Sequence, residues 1–246
     1  MKKTRLICGV FMLAISMAST GALASVTMLG TRVVYSGGVN EQALRFTNPD
    51  DHPNLVQVWV DRGNSAAGMD NGEPQFIVSP PVFRMEANSG QLVRLSYVGD
   101  PLPDDRESLF FLNFVQVPAL KNTSADFNQL VLTVRSRMKV FYRPPGLASD
   151  ADASIARQSL SFSMEKTSTG SKVVARNDSG YYVVVQRAEV EMDGHAIEVA
   201  RATMIPPRQE VSWVLPPAPA GSGKRRLKLK IVNDFGGDVE QEYVVQ

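Results

Sequence analysis

With one cysteine, two histidines and two tryptophans in 246 residues, the chain is poor in the side chains that metal and nucleophile chemistry use most. The cysteine, Cys8, falls in a leader that is argued below to be removed, so the mature chain is expected to carry no thiol. Disulfide scaffolds, cysteine-based zinc sites and cysteine catalysis are thereby excluded. His52 sits in the turn Asp50-Asp51-His52-Pro53 and His195 in Asp193-Gly194-His195, a hairpin-tip signature, so no spaced histidine pair is available for zinc. Neither G-x-S-x-G nor the D-x-[DN]-x-[DN]-G calcium spacing occurs, so no metal and no catalytic site is expected, and the chain does not read as an enzyme.

Charge of one sign is also lacking. The chain has 26 basic and 25 acidic residues, and loss of Lys2, Lys3 and Arg5 with the leader leaves the acidic side in slight excess, which disfavours nucleic-acid binding. Gly221-Ser222-Gly223-Lys224-Arg225 approaches a phosphate-binding loop, but Ala218 stands where the first glycine is required and Arg225 where a Ser or Thr would hold magnesium. No nucleotide and no other cofactor is expected. The alternation that follows, Arg226-Leu227-Lys228-Leu229-Lys230-Ile231, describes a strand with one solvated face.

Long apolar runs are absent except at the start. Lys2, Lys3 and Arg5 form a positive head, residues 6–18 are almost unbroken apolar, and Ala22-Leu23-Ala24 is an A-x-A cleavage site. A membrane span needs roughly 20 apolar residues. The segment therefore reads as a secretory signal cleaved after Ala24, with a mature chain that begins at Ser25 and is not inserted in a membrane.

What remains is ample core material, 43% hydrophobic against 21% charged, in a length that suits two domains. Short runs rich in Val, Leu, Phe and Tyr recur between turn clusters, and no stretch keeps helical spacing for long. Strands are expected over 43–47, 55–61, 91–98, 109–117 and 130–142, then over 173–176, 181–191, 197–203, 211–215, 226–232 and 239–245. Pro144-Pro145-Gly146 interrupts the rhythm. The expectation is an all-β protein of two antiparallel sandwiches, residues 25–145 and 146–246, each of about seven strands.

One strand stands out. Leu130, Leu132 and Val134 lie on one parity, Arg135, Arg137 and Lys139 on the other. Taken alone, this is a core face opposite a solvated face.

Six spaced motifs give that strand a second reading. They are Thr31-Arg32-Val33-Val34-Tyr35, Val56-Gln57-Val58-Trp59-Val60-Asp61, Ser79-Pro80-Pro81-Val82-Phe83-Arg84, Asp105-Arg106-Glu107-Ser108-Leu109-Phe110, Arg137-Met138-Lys139-Val140-Phe141-Tyr142-Arg143-Pro144 and Asn233-Asp234-Phe235-Gly236-Gly237. In this order the chain resembles the periplasmic pilus-assembly chaperones of the chaperone–usher pathway. The short, cysteine-free segment 121–126 resembles the short-loop subfamily.

The resemblance implies two immunoglobulin-like domains in an L or boomerang arrangement, with pilus subunits and an outer-membrane usher as partners. It implies that Arg32 and Lys139 bind the subunit's C-terminal carboxylate, and that Leu130, Leu132 and Val134 are lent to a subunit lacking a strand. It also implies that Glu107, Arg143 and Asp234 form a charged trio between the domains. Lys139 has the opposite parity to the three donor residues, so a bulge or strong twist is expected if all four face the subunit. Two departures stand out: Asn177-Asp178-Ser179-Gly180-Tyr181-Tyr182 lacks the family's usual prolines, and Phe235 and Phe111 replace the commoner Tyr and Trp. The rival reading is a pilus subunit or an immunoglobulin-like adhesin.

Overall fold

The computed structural model describes residues 26–64, 66, 68, 75–119, 131–147, 156–168, 170–192, 194–215 and 225–245. The leader, Leu130, segment 121–126 and the glycine stretch 221–224 lie outside these residues.

Sixteen strands form two sandwiches. In the first, β1 (Thr27–Met28), β3 (Gln42–Asn48), β7 (Ser89–Tyr97) and β5 (Phe76–Ser79) make one sheet in that order. Across the core from it lies the sheet of β2 (Arg32–Ser36), β9 (Val134–Arg143), β8 (Ser108–Pro118), β4 (Asn54–Asp61) and β6 (Val82–Met85). The alternation that makes a half-buried strand is plain in β3, where Leu44, Phe46 and Asn48 are buried while Ala43, Arg45 and Thr47 are exposed.

Two strands change sheet midway, so nine segments build a sandwich of seven strands. The first crosses between β1 and β2 at Gly30, whose φ of +90° suits glycine. The other crosses between β5 and β6 at Pro80-Pro81, where two missing N–H donors stop the ladder. The core between these sheets is aromatic at its centre: Phe46 meets Phe114 edge-on at 5.2 Å, and Phe76 meets Phe110 at 4.9 Å.

The second sandwich pairs β10 (Leu160–Thr167), β11 (Gly170–Asn177) and β14 (Gln209–Leu215) against β13 (His195–Ile205), β12 (Val183–Met192), β15 (Arg226–Val232) and β16 (Asp238–Val244). Its own core includes Phe162, Val173, Val185, Ile205, Trp213, Leu227 and Leu229. Each sandwich thus closes around a separate apolar cluster.

The long strand differs from its expectation in one respect. Its ladder starts at Val134, opposite Gln116, and residues 131–133 have no ladder partner among the described residues.

Candidate functional site: an open strand edge that ends at two cations

The site is built on β9. On one side β9 pairs with β8 along its whole length, from Gln116↔Val134 to Ser108↔Tyr142. On the other side it pairs, in parallel, with β2, but only from Arg32↔Lys139 onward. Upstream of Lys139 that second edge has no partner among the described residues, so its backbone groups are open to an added strand.

Side chains along this edge are apolar and uncovered. Val131 is 38% exposed, Leu132 70% and Val134 44%. Residues of a sandwich's own core are not left so bare; Val140, on the parity of Leu132 and Val134 further along the strand, is fully buried. The core reading of the donor-strand residues therefore fails at Leu132 and Val134.

No bulge interrupts β9. The registers with both β8 and β2 are continuous, so Lys139 faces away from the side that carries Val134. The expected bulge is therefore absent from β9, and Lys139 lies on the opposite face from the Val134 row.

Three cations share the outer face of β9, and a buried network distinguishes among them. Arg137 bonds Asp61 at 2.7 Å, and Asp61, 1% exposed, also accepts from the Asn113 amide at 2.6 Å. Arg135 donates to Asn113 Oδ1 at 2.9 Å and lies over Trp59 at 4.9 Å. Arg137 stacks 4.1 Å from the Phe111 ring, so the phenylalanine standing where the family commonly has Trp still backs a guanidinium. Lys139, by contrast, has no acidic partner among the described residues. Asp61 appeared in the sequence only as the last residue of a motif, without a role, and Asn113 not at all, although a carboxylate and an amide inside strands otherwise apolar were a visible signal.

Arg32 stands directly across from Lys139. Its Nη1 donates to the Val232 carbonyl at 3.1 Å, and its Nε is buried without a partner. Burial lowers the pKa of the guanidinium, against the attraction of Asp234 and Glu107. Burial, followed by repulsion from Arg32, also holds the Lys139 ammonium below its ordinary 10.5. Two half-buried cations side by side favour an anion between them.

A pH signature follows. Between the depressed Lys139 value and 10.5 this side chain is less protonated in the native state than in the unfolded chain, so its own contribution to stability rises with pH through that window. Anion binding, which needs the charge, should weaken over the same window. Lys139→Arg keeps its proton throughout and should remove both trends, as matched unfolding and binding titrations against wild type would record.

The charged trio is assembled between the sandwiches. Arg143 reaches Glu107 at 2.9 Å and Asp234 at 2.9 Å, with the Glu107 and Arg143 side chains 2% and 8% exposed. The second oxygen of Glu107 accepts the Tyr182 N–H at 2.8 Å, and the Glu107 N–H donates to Gly180 O at 2.8 Å. Burial pushes the Glu107 carboxyl up, against Arg143 and the Tyr182 N–H, which pull it down. The turn that lacks prolines is held instead by Asn177, whose amide donates to Tyr181 O at 2.7 Å and whose Oδ1 accepts from Ser179 Oγ at 2.6 Å.

An exposed strand edge with apolar side chains and two cations at its end has the form of a surface for β-strand addition. Two family models cover the chain: the pili and flagellar-assembly chaperone, PapD N-terminal domain, over residues 25–148, and the pili assembly chaperone PapD, C-terminal domain, over residues 155–243. The chain belongs to this family of pilus-assembly chaperones. It is 34% identical over 226 residues to the chaperone protein FimB/FhaD of Bordetella pertussis, covering 88% of this chain and 86% of that one. Its fold matches the CupB2 chaperone of Pseudomonas aeruginosa with a TM-score of 0.72 at 30% identity, over 89% of this chain and 100% of that one. A further match, at TM-score 0.70 and 26% identity over 92% of this chain and 98% of the other, is the Salmonella enterica SafB chaperone solved with the SafA pilin.

Proposed function

We propose that this protein is a periplasmic chaperone that captures pilus subunits by lending them a strand, and delivers them to an outer-membrane usher. The observation that carries the reading is the open edge of β9, lined by exposed Leu132 and Val134 and running into Arg32 and Lys139. A subunit that lacks one strand of its sandwich exposes an apolar groove flanked by unpaired backbone groups. Strand β9 supplies both kinds of partner, and Leu130 is assigned to the same row.

The direction of the added strand follows from β2. Because β2 occupies the edge from Lys139 onward, an incoming strand whose C-terminal carboxylate meets Lys139 and Arg32 runs the same way as β9, in parallel with it. The carboxylate fixes its register. Glu107, Arg143 and Asp234 hold the two domains, assigned to 25–145 and 146–246, in the orientation that leaves this edge clear. Binding energy alone drives the process, with no nucleotide, metal or other cofactor. Export is assigned to the leader, with cleavage after Ala24.

The test is purification from the periplasm of cells that express a fimbrial operon. The expected product is a soluble protein with the intact mass of a chain starting at Ser25, bringing small pilus subunits with it. A mature species retaining Cys8, or one that brings no subunit, would overturn the reading.

A further inference from the structure

The anchoring arginine is not held by its own domain. Among the described residues, no hydrogen bond or ion pair from the first domain reaches the Arg32 guanidinium; that domain contributes the Phe141 ring at 5.9 Å and the longer-range attraction of Glu107. Its one hydrogen bond crosses to Val232 O in the second domain. Asp234, two residues on, adds attraction to Arg32 while pairing with Arg143.

The loop that follows is tightly closed. Asn233 N–H donates to Gly237 O at 2.8 Å and Gly236 N–H to Asn233 O at 3.0 Å, while Asn233 Oδ1 accepts from the N–H groups of Phe235 and Gly237. Gly236 has φ +86°, and a Cβ placed on it would overlap Thr31 Oγ1 and stand 3.4 Å from Thr31 Cβ. Thr31 is the residue immediately before Arg32. Backbone of the second domain therefore approaches the root of the anchor as closely as a missing side chain permits.

We propose that segment 232–237 of the second domain is a positioning element for Arg32. Contact between Gly236 and Thr31 sets where β2 begins, and the Val232 carbonyl aims the guanidinium. Recognition of a carboxylate by the first domain then depends on the second domain being docked against it. This rests on the carboxylate-anchor reading above.

The test uses the mature full-length protein and one synthetic peptide of alternating valine and threonine, prepared with a free C-terminal carboxylate and as the C-terminal amide. Wild type should prefer the acid by about 30-fold or more, since the amide leaves two desolvated cations without a counter-charge. Gly236→Ala should reduce that preference severalfold by weakening the acid while leaving the amide unchanged. Adding Thr31→Ala removes the overlapping hydroxyl and should restore most of the preference. Should the strained φ unfold Gly236→Ala, Asn233→Ala removes the Oδ1 that accepts from the Phe235 and Gly237 N–H groups and loosens the same loop, and the same ratio is read. An unchanged ratio, or equal loss for acid and amide, overturns the positioning role. Failure of Thr31→Ala to rescue removes the Thr31 contact from it. A wild type that does not distinguish acid from amide overturns the anchor reading itself, and the inference with it.

Discussion

Leu132→Glu is expected to abolish subunit capture while leaving the thermal midpoint of the free protein nearly unchanged. The two halves of that expectation come from different states of the same side chain. In the free protein Leu132 is 70% exposed, so a glutamate there has water around it and removes little packing. On the proposed strand-lending role, the position faces the apolar groove of a subunit in the complex, where an unpaired carboxylate loses its hydration and finds no donor. Leu132→Ala should give the graded version: burying a leucine contributes roughly 1.5–3 kcal/mol, so its truncation should weaken capture by up to about 10- to 150-fold. Had Leu132 filled its own domain's core, the same truncation would cost about 2–5 kcal/mol of folding stability. Paired measurements of unfolding and of subunit recovery separate the cases. A large fall in midpoint with intact capture by the folded fraction would return the residue to the core.

Much of the scaffold was legible because a half-buried strand writes a period of two into the sequence. Residues 43–47 became Gln42–Asn48, 109–117 became Ser108–Pro118, and 226–232 is the observed β15. What escaped was whatever depends on partners distant in the chain. Division of the first strand into β1 and β2, and of another into β5 and β6, is decided by which sheet each half pairs with, which no local pattern records. The strand expected over 130–142 begins its ladder only at Val134; Leu130 lies outside the described residues, among which nothing pairs with residues 131–133.

At the site, the charges were visible but their pairing was not. Arg135, Arg137 and Lys139 look equivalent in sequence. Only folding reveals that Asp61 and Asn113 engage the first two and leave the third without a counter-charge among the described residues. Likewise Arg32 and Val232 lie 200 positions apart, and a carbonyl leaves no mark on residue identity. Glu107, Arg143 and Asp234 were grouped by resemblance alone, and the structure brings all three together.

Lys139→Ala should weaken subunit capture by about 30-fold to several thousand-fold, corresponding to roughly 2–5 kcal/mol for loss of one partner from a desolvated charge pair. Arg32→Ala should act in the same direction. The free fold should tolerate the lysine change, because Lys139 makes no ion pair among the described residues and is repelled by Arg32; removing it relieves a like-charge contact rather than breaking a bond. The trio of Glu107, Arg143 and Asp234 is untouched by the substitution. Seven residues of extended chain separate Lys139 from Leu132, about 23 Å at the usual strand rise. Sites so far apart, touching opposite ends of one bound strand, should contribute additively. Lys139→Ala combined with Leu132→Ala should therefore lose the product of the two single effects, measured by subunit recovery or by competition with a subunit-derived strand. A well-folded Lys139→Ala protein that captures subunits normally would remove the carboxylate anchor, leaving the open edge and its apolar row to act without a fixed register.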